Sequence, residues 1–209
     1  YSIDAHRALA RKAASQSAVL LKNEEGILPG LVSLKAAVIG AFAKNPRYQG
    51  TGSSKLTPIK IGIPFDQFMA RGQDMLYADG YPMDSDLVDE KLIQEACRIA
   101  EGRDIVYLFA GLPDSYEAES FDRDNMSMPE NHIRLIEAVS KVNKHVVVIL
   151  LGGAPMEMLW APLVQGILLM YLGGEAVGEA KIGFIKLKVK DELSYPVKIE
   201  GEDILVGIG

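Results

Sequence analysis

Two apolar runs, Asp104–Leu112 and His145–Leu151 (HVVVILL), most constrain what this chain can fold into. Neither alternates polar with apolar residues, so neither can lie with one face in water. Continuous runs of this length, rich in β-branched residues, are central strands of a parallel sheet that needs helices on both faces. The rest of the chain supplies that cover. Strands are expected at Ala18–Leu21, Leu34–Gly40, Asp74–Ala78, Asp104–Leu112, His145–Leu151 and Gly166–Leu172. Helical spacing marks Asp4–Ser17, capped by Asp4, and Pro64–Arg71. It also marks Asp86–Glu101, with Leu87, Val88, Leu92, Ile93, Ala96, Ile99 and Ala100 in one stripe, and Pro129–Val142. A short helical turn is expected near Met156–Ala161. Alternation of this kind predicts an α/β fold, a six-stranded, mostly parallel sheet with right-handed crossovers and helices on both faces.

After about Ala180 the rhythm is lost. Residues 1–180 are read as one α/β-sandwich domain and 181–209 as an irregular C-terminal extension of it. Lys181–Lys190 alternates lysine with apolar residues, as a guarded edge strand would, and Tyr195–Gly209 has no periodicity to place it.

With the strands placed, the loops become informative. In open α/β sheets ligands bind beyond the carboxyl ends of the strands. Three loops belong there: Phe42–Ser54, Pro113–Asp124 and Gly152–Pro155. The middle one is too long for a connection and holds Asp114, Glu117, Glu119, Asp122, Arg123 and Asp124. It runs into Ser127-Met128-Pro129-Glu130, which has the form of a capping box. Glu117 and Glu119 are two apart, so on extended backbone both point the same way. Crowded like charges would leave one of them protonated near neutral pH; two independent, solvated glutamates are the plainer reading. Asp122-Arg123 reads as a ligand clamp or as a loop staple, and Pro155 with Trp160 as a pocket wall or a packed corner.

Several functions are excluded or disfavoured. A net charge of −6 with no basic run argues against nucleic acid. No apolar stretch reaches the ~18 residues that span a bilayer, so no membrane partner is expected. Gly50-x-Gly52 follows a strand, but the third glycine of a dinucleotide fingerprint would fall at Lys55 and no Walker sequence occurs, which disfavours nucleotides. His6, His132 and His145 are too scattered for a metal cluster, and no cofactor is expected. The single cysteine, Cys97, sits in a helical stripe and reads as inert packing. A start at Tyr1 without a leader suggests a fragment or processed chain; the compartment stays open, with the cytoplasm as the expectation.

Taken together in order, these residues resemble a known family. They are His6-Arg7, Leu20-Leu21-Lys22-Asn23, Leu28-Pro29, Ala37-Val38-Ile39-Gly40 and Tyr48-Gln49-Gly50-x-Gly52-Ser53-Ser54. Glu119-x-Phe121-Asp122-Arg123, Met128-Pro129-Glu130-Asn131, Gly153-x-Pro155, Trp160 and the tail Gly201–Gly207 complete the set. The chain is similar to the second, α/β-sandwich domain of family 3 glycoside hydrolases, the β-glucosidase group. The resemblance implies a retaining mechanism acting on a β-linked glucoside or related oligosaccharide. In it a preceding TIM-barrel domain brings an aspartate nucleophile, and Glu119 is the general acid/base. It implies sugar contacts from Tyr48, Gln49, Gly50 and Ser53, with Asp122 and Arg123 beside them. Ser120 stands where the family has glycine, a familiar passage is missing between Ala180 and Phe184, and no barrel precedes Tyr1. The chain alone is therefore expected not to hydrolyse glycosides. The rival expectation is a flavodoxin-like binding or interaction module without a catalytic role.

Overall fold

The computed structural model describes residues 2–119 and 122–179, together with the backbone of strands Val197–Glu200 and Asp203–Val206. The helices are α1 (Ile3–Ser17), α2 (Pro64–Met69), α3 (Glu90–Ala100) and α4 (Glu130–Val142). Strands β1 (Val19–Asn23), β2 (Ala36–Ile39), β3 (Met75–Ala78), β4 (Ile105–Gly111), β5 (Val146–Leu151) and β6 (Gly166–Leu169) form a single sheet in the order β1-β6-β5-β4-β2-β3. All neighbours are parallel except β1, which runs antiparallel to β6 at one edge. β7 (Val197–Glu200) and β8 (Asp203–Val206) pair as an antiparallel hairpin where no periodicity showed an element. The proposed edge strand at Lys181–Lys190 lies outside the described residues. Every residue of β4 and β5 is buried, as the apolar runs require. α3 and α4 bury Ile93, Ala96, Ile99 and Ala100, and Leu135, Ile136 and Val139, against the sheet.

Element ends differ from the sequence reading for local reasons. α3 begins at Glu90 because Asp89 caps it, its carboxylate accepting from the N–H groups of Lys91 and Leu92 at 2.9 and 3.2 Å. Asp86, the expected start, instead accepts the Tyr116 hydroxyl at 2.9 Å, which leaves Leu87 78% exposed and outside the stripe. Ser127 caps nothing: α4 starts after Pro129, and the Ser127 N–H is taken by Asn125 Oδ1 at 3.0 Å. In α1 the cap is Ser2 rather than Asp4, and of its expected apolar stripe only Ala14 is buried. The turn expected at Met156–Ala161 forms as a 3₁₀ turn at Ala161–Leu163, and Trp160 packs into the core as a corner.

Topology sets the place for a site. From β2 the chain goes to β3 on one side, then crosses to β4 on the other, so the winding direction reverses between β2 and β4. Loops leaving the carboxyl ends of these two strands diverge and leave a crevice. Its floor is closely built. Gly40 and Gly111 end the two strands at φ 107° and 145°, and a Cβ on either would overlap the carbonyl oxygen of Phe109 or Leu151. Below them Tyr81 donates to Phe109 O at 2.9 Å and accepts from the Phe42 N–H at 3.1 Å. The His132 ring stacks 3.9 Å from that of Tyr81 and its Nδ1 lies 3.0 Å from Gly111 O.

Candidate functional site

The expected three loops meet at this crevice, and a residue the sequence did not single out holds them together. Arg47, on the loop after β2, is 6% exposed. Its Nε donates to Leu112 O at 2.9 Å, one terminal nitrogen pairs with Asp114, and the other donates to Glu117 Oε2 at 2.8 Å. The second oxygen of Glu117 accepts the N–H groups of Gly153 and Ala154 at 2.6 and 2.5 Å. One guanidinium and one carboxylate thus tie the loops after β2, β4 and β5. The only sequence signal for Arg47 is that it is the one arginine in the loop Phe42–Ser54, flanked by Pro46 and Tyr48. Its burial depends on carboxylates 67 and 70 residues away.

This arrangement corrects the reading of Glu117 and Glu119 as a like-charged pair. The chain between them is not extended: Asp114–Tyr116 forms a 3₁₀ turn and Glu117 has φ −134°, ψ 33°. Glu117 turns inward to Arg47. Glu119 turns outward to the loop after β2, where Ser53 N–H donates to Oε2 at 2.7 Å and Ser53 Oγ donates to Oε1 at 2.9 Å. The two backbones are joined here too, by a parallel bridge between Thr51 and Ala118 and by Glu119 N–H donating to Thr51 O at 3.4 Å. These hydrogen bonds favour the charged form, first the Ser53 N–H and then its hydroxyl, so the Glu119 carboxyl sits below its usual range rather than above it. Asp114 is also lowered. Burial pushes it up, but the Lys55 hydrogen bond and the Arg47 charge outweigh that.

The other expected contact residues divide between two clefts. One of about 430 Å³ is lined by Tyr48 and Gln49 with Arg47, Lys55 and Asp114. Gln49 is engaged within its own loop, donating to the Tyr48 hydroxyl and to Leu56 O and accepting from the Leu56 N–H. Gly50 has open space around it. The second cleft, about 600 Å³, is lined by Asp122 and Arg123 with Tyr116, Ser127 and Glu130. Arg123 is a loop staple: its guanidinium donates to Pro155 O at 2.9 Å and Ser127 O at 3.0 Å, and lies over the Tyr116 ring. Asp122 is exposed. Ser53 and Glu119 stand between the loops, with the carboxylate open to solvent. What the arrangement can do chemically is present one ionised, solvent-facing carboxylate, on a braced loop, to something arriving from outside the sheet edge.

Comparison with known proteins gives a consistent result. The family model described as the glycosyl hydrolase family 3 C-terminal domain matches residues 18–189. "Thermostable beta-glucosidase B" of Acetivibrio thermocellus is 47% identical over 206 residues, covering 95% of this chain and 27% of that protein. The "Exo-alpha-(1->6)-L-arabinopyranosidase" of Bifidobacterium longum is 38% identical over 216 residues, covering 97% of this chain and 28% of that protein. The crystal structure of a GH3 beta-glucosidase from Bifidobacterium adolescentis superposes with a TM-score of 0.85 at 41% identity, over 88% of this chain and 27% of that one. The chain therefore spans about a quarter of the length of these relatives.

Proposed function

Because the chain belongs to the family 3 glycosyl hydrolase C-terminal domains, we propose that it is the second domain of a retaining β-glucosidase-like enzyme and supplies its acid/base, Glu119. The observation that carries this reading is the position of Glu119. It is an exposed carboxylate on the loop after β4, at the point where strand order reverses, on a loop braced by Arg47 and Glu117. A retaining glycosidase needs two carboxyl groups roughly 5–5.5 Å apart, one to attack the sugar carbon and one to protonate the leaving oxygen and then deprotonate water. In this proposal the nucleophilic aspartate comes from a TIM-barrel domain facing the sheet edge. The substrate is a β-linked glucoside or related oligosaccharide lying between the two domains. Tyr48, Gln49, Gly50, Ser53, Asp122 and Arg123 are the residues of this chain proposed to border the sugar. The relatives' names differ in the sugar, which fits a domain whose contribution is the proton rather than recognition of the glycone.

The ionised state of Glu119 suits the second half of such a reaction, in which a carboxylate draws a proton from water. Protonating the leaving oxygen requires the other state, and covering this exposed carboxyl with a second domain would raise its pKa by desolvation. The test is Glu119→Gln in the long protein that contains this chain. Turnover of a glucoside with a poor leaving group should fall about 10²–10⁴-fold in the glycosylation step, and an activated aryl glucoside should lose much less. Azide, which needs no general base, should restore turnover of the activated substrate. The 209-residue chain alone should not turn over either substrate. Equal losses on both substrates without azide rescue would favour the rival, a non-catalytic binding module.

A further inference from the structure

Ser53 was expected to touch sugar; in the structure both of its donors are spent on Glu119. Each carboxylate oxygen receives one of them, Oε2 the backbone N–H and Oε1 the hydroxyl. A hydroxyl can rotate to accept a proton, but an N–H cannot. A carboxylic acid with its proton on Oε2 would meet that N–H head on. A docked Glu119 can therefore carry a proton only on Oε1, and only if the Ser53 hydroxyl turns to accept it; with both groups donating, the charged form is favoured. Three further features fit the contact. Glu119 N–H is bonded to Thr51 O, which sets the distance between the loops. Gly52 has φ 124°, and a Cβ there would lie 2.5 Å from Glu119 Oε2, so the turn must be glycine for the carboxylate to dock. Of the other charges on the two loops and beside them, Arg47 pairs with Asp114 and Glu117 and Lys55 with Asp114, Lys44 lies over the Tyr77 ring, Arg123 bonds the carbonyls of Pro155 and Ser127, and Asp124 is exposed. Asp122, farther along the Glu119 loop, faces solvent.

We infer that Ser53 is a positioning residue for the acid/base: it docks Glu119 across the two loops as a carboxylate, ready to deprotonate water, and releases it when Glu119 must donate a proton. The inference rests on the acid/base assignment of Glu119. It adds a requirement that the assignment does not contain, namely that the two half-reactions ask opposite things of the Ser53 contact. Loss of the hydroxyl should favour the protonated form and therefore burden the base step more than the acid step.

Two measurements separate this inference from the assignment beneath it. In the 209-residue chain, the Glu119 side-chain carboxyl is titrated by ¹³C NMR, with its resonance assigned through Glu119→Gln. Ser53→Ala should move the midpoint up toward the ordinary glutamate range, and Ser53→Thr should return it to the wild-type value. An unmoved midpoint overturns the docking role, whatever Glu119 does in catalysis. In the long protein, Ser53→Ala should move the alkaline limb of the kcat/KM profile to higher pH and lower kcat for substrates limited by deglycosylation. Ser53→Thr should restore both. A shifted NMR midpoint with an unshifted limb overturns the positioning role, while the leaving-group dependence and azide rescue of Glu119→Gln still stand or fall on their own. Urea midpoints at neutral pH should fall in Ser53→Ala only by the amount linked to the shift of the Glu119 titration and should return in Ser53→Thr, because Ser53 is otherwise exposed. Equal losses of kcat on all substrates with a midpoint lowered beyond that amount would show a structural role only and overturn the inference.

Discussion

Lowering the pH from 7.5 to 5 should cost this domain about 2 kcal/mol of stability through His132 alone. The ring is 3% exposed, packed against Phe42 and Tyr81 beneath the carboxyl ends of β2 and β4. Burial depresses its pKa from 6.5 to about 3, and the hydrogen bond with Gly111, which favours the charged form, offsets only part of that. The folded state therefore stays neutral while the unfolded chain takes up a proton below pH 6.5. Between about pH 3 and 6.5 the unfolded state binds more protons, so stability rises with pH through that window and is lost as pH falls. The slope approaches about 1.4 kcal/mol per pH unit, and integration to pH 5 gives about 2 kcal/mol. That figure hardly changes if the folded value lies anywhere below about 4, because at pH 5 the folded ring is neutral either way. Asp114 and Glu119, both lowered, add their losses mainly under more acid conditions, within and below the ordinary carboxylate range. The assay is urea unfolding at pH 7.5, 6.5, 5.5 and 5.0, comparing wild type with His132→Gln, which keeps a neutral hydrogen-bonding side chain at every pH. The variant will be less stable at pH 7.5, and the gap should narrow by about 2 kcal/mol at pH 5. Parallel curves would refute the claim that His132 is buried neutral.

Two other perturbations test the frame of the site. Leu108→Ala or Val148→Ala, each removing a fully buried side chain from a central strand, should cost about 2–4 kcal/mol, read from urea midpoints; no change in either would contradict the strand assignment. Arg47→Met should cost about 3 kcal/mol by leaving the nearly buried Glu117 carboxylate without its counter-charge. Adding Glu117→Gln should recover part of that loss, and a double variant no better than the single one would show that the pair is not what joins the loops.

Much of the fold was legible in the chain because burial on both faces leaves a plain mark. Asp104–Leu112 and His145–Leu151 are apolar at nearly every position, and they became β4 and β5 within one residue at each end. The helices that cover them carry the 3.6-residue stripe, so the alternation and the parallel sheet followed. Element ends were less legible, since Asp86 and Asp89 are equally good caps in isolation. Only the distant Tyr116 hydroxyl decides between them.

The site divides along the same line. Local order sufficed to show that an acidic loop follows a strand, and the motif around Glu119 marked one residue in it. Which way each carboxylate points was decided by tertiary structure. Glu117 faces inward because a buried guanidinium on another loop and two N–H groups on a third need a carboxylate there. Glu119 faces outward because Ser53, 66 residues earlier, offers two donors. Spacing of two along the chain predicts a common direction only where the backbone is extended. Here a 3₁₀ turn and two long-range partners set the directions, and no local pattern encodes a partner 66 to 70 residues away.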